Sequence, residues 1–383
     1  MIKTLCLENR YTPKGLNKIV NKIIDQEILL RLINSKNRIN TQKYKKYWDK
    51  TKKYSNTYEL VYIPNKTNRK HSISSYKPLS RSYFKLWEII SDFNLLVSSK
   101  QITVLCLAEG PGGFMESIIN YRNNPEDKIN GITLKSSNKD IPGWTKSKQF
   151  IKKHNINITY GSDGTGNLYN IDNIKYLKHF IKEKVDFITA DGGFDFSIDF
   201  NNQEELSYRI IYSEIVSAFY LLKKGGDFIC KLFDIHSIIT IKFIFLLSCY
   251  YETVFITKPH TSRSANSEKY LVCKGFIGID DSYLELLFVY IKHWDLMKDN
   301  LLSFIDVPCY FIKRIYIYNN IITLFQIKNI NYTLDFIDNN INNKKIIIKQ
   351  QTDKAIEWCN NYDIKINYKS KFINLNVDNY IWT

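Results

Sequence analysis

Between about residue 80 and residue 277, short apolar runs alternate with amphipathic stretches, and this rhythm narrows the fold more than any other feature of the chain. QITVLCLA (101–108), KINGITL (128–134), NINITY (155–160), VDFITAD (185–191), DFICKLF (227–233), ETVFITK (252–258) and KYLVCKGF (269–276) read as strands. RSYFKLWEIISDF (81–93), FMESIINYR (114–122), NIDNIKYLKHFIKEK (170–184), EELSYRIIYSEIVSAFYLLKK (204–224) and residues 238–250 carry helical spacing, the fourth stopped by Gly225-Gly226. Parallel neighbours need a crossover, and a helix between strands supplies it. The pattern therefore predicts an α/β domain with a mostly parallel sheet. The last two strands have no helix between them and are expected to form an antiparallel edge hairpin.

The flanks read differently. Residues 1–75 are polar and basic, and QKYKKYWDKTKKY (42–54) interleaves positive charge with aromatic rings. Such a run suits either a nucleic-acid contact or a solvated helix face. Past residue 280, SYLELLFVYIKHWDLMKDNLLSFI (282–305) has helical spacing, whereas YFIKRIYIYNNIITLFQIKNINYTLDFI (310–337) reads as a small β unit with Asn-rich turns. The expected organisation is a basic extension over 1–75, the α/β domain over 76–280 and an accessory region over 281–383.

Lys and Arg number 54 and Asp and Glu 38, a net charge of +16 that favours a polyanionic partner, either nucleic acid or an acidic membrane. A Lys- and Asn-rich coding bias would give the same excess. The seven cysteines (6, 106, 230, 249, 273, 309 and 359) form no CxxC pair, and their odd number argues against a disulfide framework. Cys106, Cys230 and Cys273 sit in strand-like runs and read as buried thiols. The six histidines make no HxxH or HExxH pattern, so no metal site is expected. The N-terminus has no apolar core of signal-peptide length. IITIKFIFLLSCYY (238–251) is short for a membrane span, carries Lys242 and reads as a core helix. A soluble, intracellular protein without a membrane partner is expected.

One turn carries a ligand signal. In VLCLAEGPGGFMESII (104–119) an apolar strand ends in Glu109-Gly110-Pro111-Gly112-Gly113-Phe114, and a helix begins at once. A P-loop would need Lys and Ser or Thr where Phe114 and Met115 stand, and the GxGxxG dinucleotide spacing is not met. The third reading is S-adenosylmethionine (SAM), whose ribose and amino-acid end lie against bare backbone at such a turn. Alone, a glycine turn is as often only a tight turn.

Four further residues sharpen the reading. Asp191 ends one strand beside two glycines, Lys231 lies near the end of the next, Glu268 stands at the mouth of the strand after that, and Lys85 lies on the helix 81–93. Taken singly, Asp191 suits a turn, Glu268 a surface pair with Lys269, and Lys85 an exposed helix face. Lys231, between Cys230 and Leu232, is costly to bury without a role. The carboxyl ends of parallel strands share one edge, so Asp191 and Lys231 are expected in one cleft, which Glu268 joins from a strand running the other way. Such a set suits activation of a ribose 2′-hydroxyl. A lysine kept neutral by burial and by a second lysine accepts the proton, and the carboxylates orient lysine and sugar. The sulfonium methyl is already activated, so transfer needs positioning rather than a metal.

SRSYFKLWEI, LAEGPGGF, GITL, GSDGTGNL, ADGGF, GGDFICKLFD and KPHTSRSANSEKYLVCKGF follow in that order. In this wording, about half of the chain resembles the FtsJ-like RNA ribose 2′-O-methyltransferases, most of all the mRNA cap-specific enzymes of eukaryotes and large DNA viruses. The resemblance implies a Rossmann-like, SAM-dependent methyltransferase with a seven-stranded sheet. It implies catalytic roles for Lys85, Asp191, Lys231 and Glu268, with Lys231 the base. It implies SAM contacts at Glu109, Gly110, Pro111, Gly112, Gly113 and Phe114, at Thr133 and Leu134, at Asp163 near the adenine, and at Asp191. KINGITLK lacks the acid that many SAM enzymes carry at the end of their second strand. Arg81, Arg263 and Asn266 are assigned to the RNA sugar or phosphate, and the basic N-terminal region to the RNA track.

The expected reaction is methylation of the first transcribed ribose of capped mRNA. The expected partners are capped mRNA and other capping or transcription proteins, in the cytoplasm, a virion or a viral factory. Two alternatives are a ribosomal or transfer RNA ribose methyltransferase and a methyltransferase-fold subunit that stimulates another RNA-processing enzyme. The intact set of four residues argues against a purely non-catalytic role.

Overall fold

The computed structural model describes residues 4–8, 23–64, 69–138, 141–193, 200–339 and 344–373. The chain begins with β1 (Thr4–Glu8), α1 (Gln26–Ile39) and α2 (Gln42–Thr51). The alternating part runs α3 (Ser82–Asp92), β2 (Thr103–Leu107), α4 (Gly113–Arg122), β3 (Lys128–Ile132), α5 (Lys148–Lys153), β4 (Asn157–Thr159) and α6 (Ile171–Ile181). It continues through β5 (Val185–Ala190), α7 (Gln203–Leu221), β6 (Leu222–Leu232), α8 (Ile238–Tyr250), β7 (Tyr251–Thr257) and β8 (Lys269–Phe276). Then come α9 (Asp281–Lys292), α10 (Trp294–Met297), α11 (Cys309–Asp338) and α12 (Lys344–Asn361).

The strands form one sheet of eight, ordered β1-β7-β8-β6-β5-β2-β3-β4. β4, β3, β2, β5 and β6 are parallel, and β8 runs antiparallel between β6 and β7. The expected seven strands are present. The N-terminal extension adds the eighth, β1, antiparallel to β7 with Cys6 opposite Phe255.

Every residue of β2 is buried because helices cover both faces of the sheet. Alternate side chains sort to opposite sides: Leu105 and Leu107 pack with Ile174, Tyr212 and Phe243, whereas Val104 and Cys106 pack with Leu86, Phe114 and Met115. Cys106, Cys230 and Cys273 are buried thiols, as their strand settings implied. In α8, Lys242 donates to the Leu302 carbonyl at 2.8 Å, and no helix among the described residues is long and apolar enough to cross a membrane.

Two segments depart from expectation. Residues 310–337 are not a β unit but most of α11, a helix of 30 residues. Its buried Phe311, Ile312, Ile315, Ile322, Ile327, Ile330 and Leu334 keep a helical period that the β-branched and Asn-rich wording concealed. Packing of Ile327, Ile330 and Leu334 against Leu32 and Ile39 of α1 and Trp48 of α2 overrides strand propensity. Likewise α7 ends at Leu221, before Gly225-Gly226, because Leu222 already pairs with Val185.

The two flanks also pack on each other and on the sheet. Tyr54, Leu60, Val61 and Tyr62 meet Ile348, Ala355 and Trp358 of α12, with Tyr83 and Phe84 of α3 in the same cluster.

Candidate active site

After β2 the Ala108 N–H bonds to the Ile132 carbonyl of β3 at 2.8 Å, and the chain turns through Glu109–Gly113 into α4. Gly112 caps α4 with φ of +100°, a conformation that favours glycine. At Gly110 space decides, since a Cβ would press into the Pro142 carbonyl. Glu116 in the first turn of α4 accepts bonds from the Leu79 N–H at 2.6 Å and the Tyr76 hydroxyl at 3.0 Å, anchoring the turn to the segment before α3.

Glu109 is buried. Its Oε1 accepts from the Thr189 hydroxyl at 2.6 Å, its Oε2 has no partner among the described residues, and burial drives its pKa well up. Thr133 and Leu134 follow β3 beside the GSDGTG loop, where the Lys135 N–H bonds to the Thr165 carbonyl at 2.7 Å. The Asp163 carboxylate is turned into that loop. It accepts from the Thr165 hydroxyl at 2.7 Å, the Thr165 N–H at 2.9 Å and the Asn170 amide at 2.8 Å, which together pull its pKa down.

The strand register assembles the charged residues. Ala190 of β5 lies opposite Cys230 of β6, so Asp191 and Lys231 emerge together one step further on. Lys231 Nζ donates to the Asp191 carbonyl at 2.6 Å and stands 3.2 Å from Asp191 Oδ1. Tyr270 of β8 lies opposite Lys231, and cross-strand partners point to the same face. The Tyr270 hydroxyl accordingly sits 3.2 Å from Asp191 Oδ1 and 3.1 Å from Glu268 Oε1. Lys85 Nζ, on α3, completes the cluster 2.7 Å from Glu268 Oε1 and 2.8 Å from Oε2. The four expected residues thus meet, and Tyr270 joins them as a fifth. Phe194 of the ADGGF wording lies outside the described residues.

Burial disfavours the Glu268 carboxylate, but Lys85 and Lys231 outweigh it and hold the pKa at about 2. Burial also works against the Lys231 ammonium. Here Asp191 and Glu268 outweigh it, and the pKa is raised. Lys231 is therefore charged in the protein alone, contrary to the neutral state expected. The reason is geometric: the second lysine, Lys85, pairs with Glu268 instead of crowding Lys231. A further lysine not singled out in the sequence, Lys258, lies buried behind the loop that carries Glu268. Its Nζ donates to the Asn266 carbonyl at 2.9 Å, to Asn266 Oδ1 at 2.6 Å and to the Glu268 carbonyl at 2.8 Å.

The residues assigned to RNA turn their polar groups inward. Arg81 donates to the carbonyls of Thr261, Tyr62 and Tyr58 at 3.0, 3.1 and 3.1 Å, and its Nη1 is 3.3 Å from Glu59 Oε2. Arg263 forks the same carboxylate, with Nε 3.1 Å from Oε2 and Nη2 2.8 Å from Oε1. Asn266 is exposed, yet its Oδ1 is taken by Lys258. Beside residues 263–267, between α1, α2 and α11, lies a cavity of about 130 Å³, partly open to solvent. Trp48, Phe200, Lys36, Lys52 and Arg263 line it, as does Asn56, whose buried Oδ1 has no partner among the described residues.

Residues 78–276, just over half of the chain, match the FtsJ-like methyltransferase family. The chain belongs to that family. This FtsJ-like domain holds Lys85, Asp191, Lys231, Glu268 and Tyr270, whereas Glu59 and the helices around the cavity lie outside it. The cap-specific mRNA (nucleoside-2′-O-)-methyltransferase 1 of Trypanosoma brucei brucei is 36% identical over 202 residues, 52% of this chain and 54% of that protein. The Homo sapiens protein of the same name is 36% identical over 211 residues, 51% of this chain and 25% of the human one. The FtsJ-like chain therefore spans about half of the first relative and a quarter of the second.

Proposed function

We propose that this FtsJ-like protein is a SAM-dependent methyltransferase acting on the ribose 2′-hydroxyl of the first transcribed nucleotide of capped mRNA. The observation that carries the reading is the convergence of Lys85, Asp191, Lys231 and Glu268 in one hydrogen-bonded cluster, in a chain whose relatives bear that activity in their names.

The glycine turn suits the cofactor. Its backbone is bare at Gly110, Gly112 and Gly113, in line with the close approach of an amino-acid end. Thr133, Leu134 and the loop of Asp163 form the next stretch of the same edge, in line with an adenosine lying across it. When bound, SAM supplies a methyl group already activated on a sulfonium. Lys231, as the free amine, takes the 2′-hydroxyl proton while the oxygen gains the methyl group. Asp191 and Tyr270 hold Nζ and the hydroxyl in place, and Lys85 with Glu268 fixes the far side of the sugar. The cavity beside residues 263–267, with the Trp48 ring and the Lys52 and Arg263 cations in its lining, is our candidate for contact with the methylated guanine of the cap. The exposed Lys45, Lys46, Tyr47 and Lys50 of α2 lead the strand toward it.

The test is transfer of labelled methyl from SAM to a short RNA, capped with N7-methylguanosine or left uncapped, followed by digestion to locate the label. Label on the first ribose of capped RNA alone is expected. Equal labelling of uncapped RNA would overturn the cap assignment, and label on a base would overturn the chemistry.

A further inference from the structure

Lys85 and Glu268 belong to segments that are both held from outside the FtsJ-like domain. Glu59, in the segment before residue 78, is fully buried between two guanidinium groups. One belongs to Arg81, a helical turn before Lys85, and the other to Arg263, in the loop that ends at Glu268. Asn56 Nδ2 adds a bond to Glu59 Oε2 at 2.6 Å. Burial pushes the Glu59 pKa up, but the two arginines outweigh it and hold the group at about 2, so the joint is ionic across the working pH range.

Arg81 widens the joint. It binds the carbonyls of Tyr58 and Tyr62 on one side and of Thr261 on the other. The next residue, Ser262, donates to Glu268 Oε1 at 3.0 Å. Direct contacts thus run from Glu59 through Arg81 into α3 and Lys85, and from Glu59 through Arg263 into the loop and Glu268.

We propose that Glu59 is a positioning residue that sets the separation of Lys85 and Glu268, so that the N-terminal extension is part of the catalytic apparatus. Glu59 touches neither substrate nor reacting atoms. Without its charge two guanidinium groups would share a buried site, like charges would separate, and the loop would draw away from α3. The glycine turn, tied to the segment 76–79 through Glu116, would stay as it is. The inference rests on the catalytic role proposed for the cluster.

The test uses the full chain carrying Glu59→Gln or Glu59→Asp. Methyl transfer to capped RNA gives kcat and KM, calorimetry gives SAM affinity, and a crystal structure gives the Lys85–Glu268 distance. Glu59→Gln is expected to lower kcat at least about tenfold, with SAM affinity within about twofold of wild type and Lys85 beyond hydrogen-bond reach of Glu268. Glu59→Asp is expected to regain most of kcat. An unchanged kcat or an unchanged Lys85–Glu268 distance in Glu59→Gln overturns the proposal, and so does a parallel loss of SAM binding. If Glu59→Gln does not fold, Arg263→Lys keeps the charge and breaks the fork, and wild-type kcat in that variant is equally fatal. A wild-type protein that methylates no RNA refutes the proposed function instead, while the crystallographic distance still decides the role of Glu59.

Discussion

Lys85 and Glu268 are separated by 183 positions in the chain and by 2.7 Å in space. Lys231 and Asp191 form the second pair of the cluster, 3.2 Å apart, and the Tyr270 hydroxyl lies between the two carboxylates. Two lysines and two acids balance in charge. That balance lets four ionisable groups share a half-buried cleft from which an isolated ion would be expelled.

Lys231→Ala removes the proposed base and leaves the glycine turn intact. The expected outcome is a fall in kcat of about 10²- to 10⁴-fold with SAM binding retained. Rate assays paired with equilibrium SAM titration check it, and near-normal turnover would strip Lys231 of that role.

Tyr270→Phe keeps the ring, whose centroid is 5.9 Å from that of Phe114, and deletes only the bridge between Asp191 and Glu268. Hydrogen bonds to charged groups contribute about 1.5–3 kcal/mol to stability, so the melting temperature should fall by several degrees, and kcat should fall as Asp191 and Glu268 lose the hydroxyl between them. Turnover equal to wild type would show that the carboxylates keep their places unaided.

Lys231 accepts a proton only as the free amine, and the neighbouring acids raise its pKa above the ordinary 10.5 despite burial. The competent fraction then grows tenfold with each pH unit below that pKa. kcat/KM for SAM, which reports the free enzyme, should climb with unit slope between about pH 7 and pH 9 without a plateau. Asp191→Asn, by removing one of the charges that hold the ammonium, should bring a plateau to lower pH. A flat wild-type profile would contradict the assignment.

Gly110→Ala drives a methyl group into the Pro142 carbonyl, whereas the corresponding position at Gly143 opens on empty space. Gly110→Ala should cost about 1–3 kcal/mol of stability and weaken SAM binding, and Gly143→Ala should do neither. Calorimetric melting and SAM titration of the two variants side by side decide it.

On α1, Lys36 bonds Asp234 Oδ2 at 2.7 Å, with Lys269 4.0 Å from Oδ1, all three nearly fully buried. Lys36→Met takes the hydrogen-bonded cation from Asp234, leaves it only the more distant Lys269, and should destabilise the fold by about 3 kcal/mol. Adding Asp234→Leu should recover little of that loss in denaturant unfolding, because Lys269 then lies buried without its acid.

The sequence disclosed what is local and what is periodic. Lys231 stood out because Cys230 and Leu232 flank it in an apolar strand, and the turn at Gly112 showed itself as a strand running straight into a helix. Tyr270 was signalled only by its two-residue spacing from Glu268, a faint mark in a chain with 27 tyrosines. Glu59 left no trace, since Arg263 lies 204 positions away and nothing near Glu59 marks it for burial. The same holds for Trp358, whose indole N–H donates at 3.0 Å to Glu88 Oε2, the oxygen that also accepts from Thr261. Arg81 and Arg263 read as contacts for a polyanion because a sequence shows charge without showing the acid that meets it. The misread α11 has the same root: residue types suggested strands, while the partners that select a helix, Leu32 and Trp48, lie far earlier in the chain.

β1 carries a consequence for how the molecule behaves at high concentration. A sheet ending at the seven-residue β7 would present a long row of free backbone groups to any neighbouring strand. β1 covers that row and is itself only five residues long, and Arg314 of α11 donates to the Cys6 carbonyl at 2.6 Å. The opposite margin, β4, has three residues. Among the described residues neither border of the sheet offers a template of useful length, so the fold resists edge-to-edge aggregation even when molecules are crowded together.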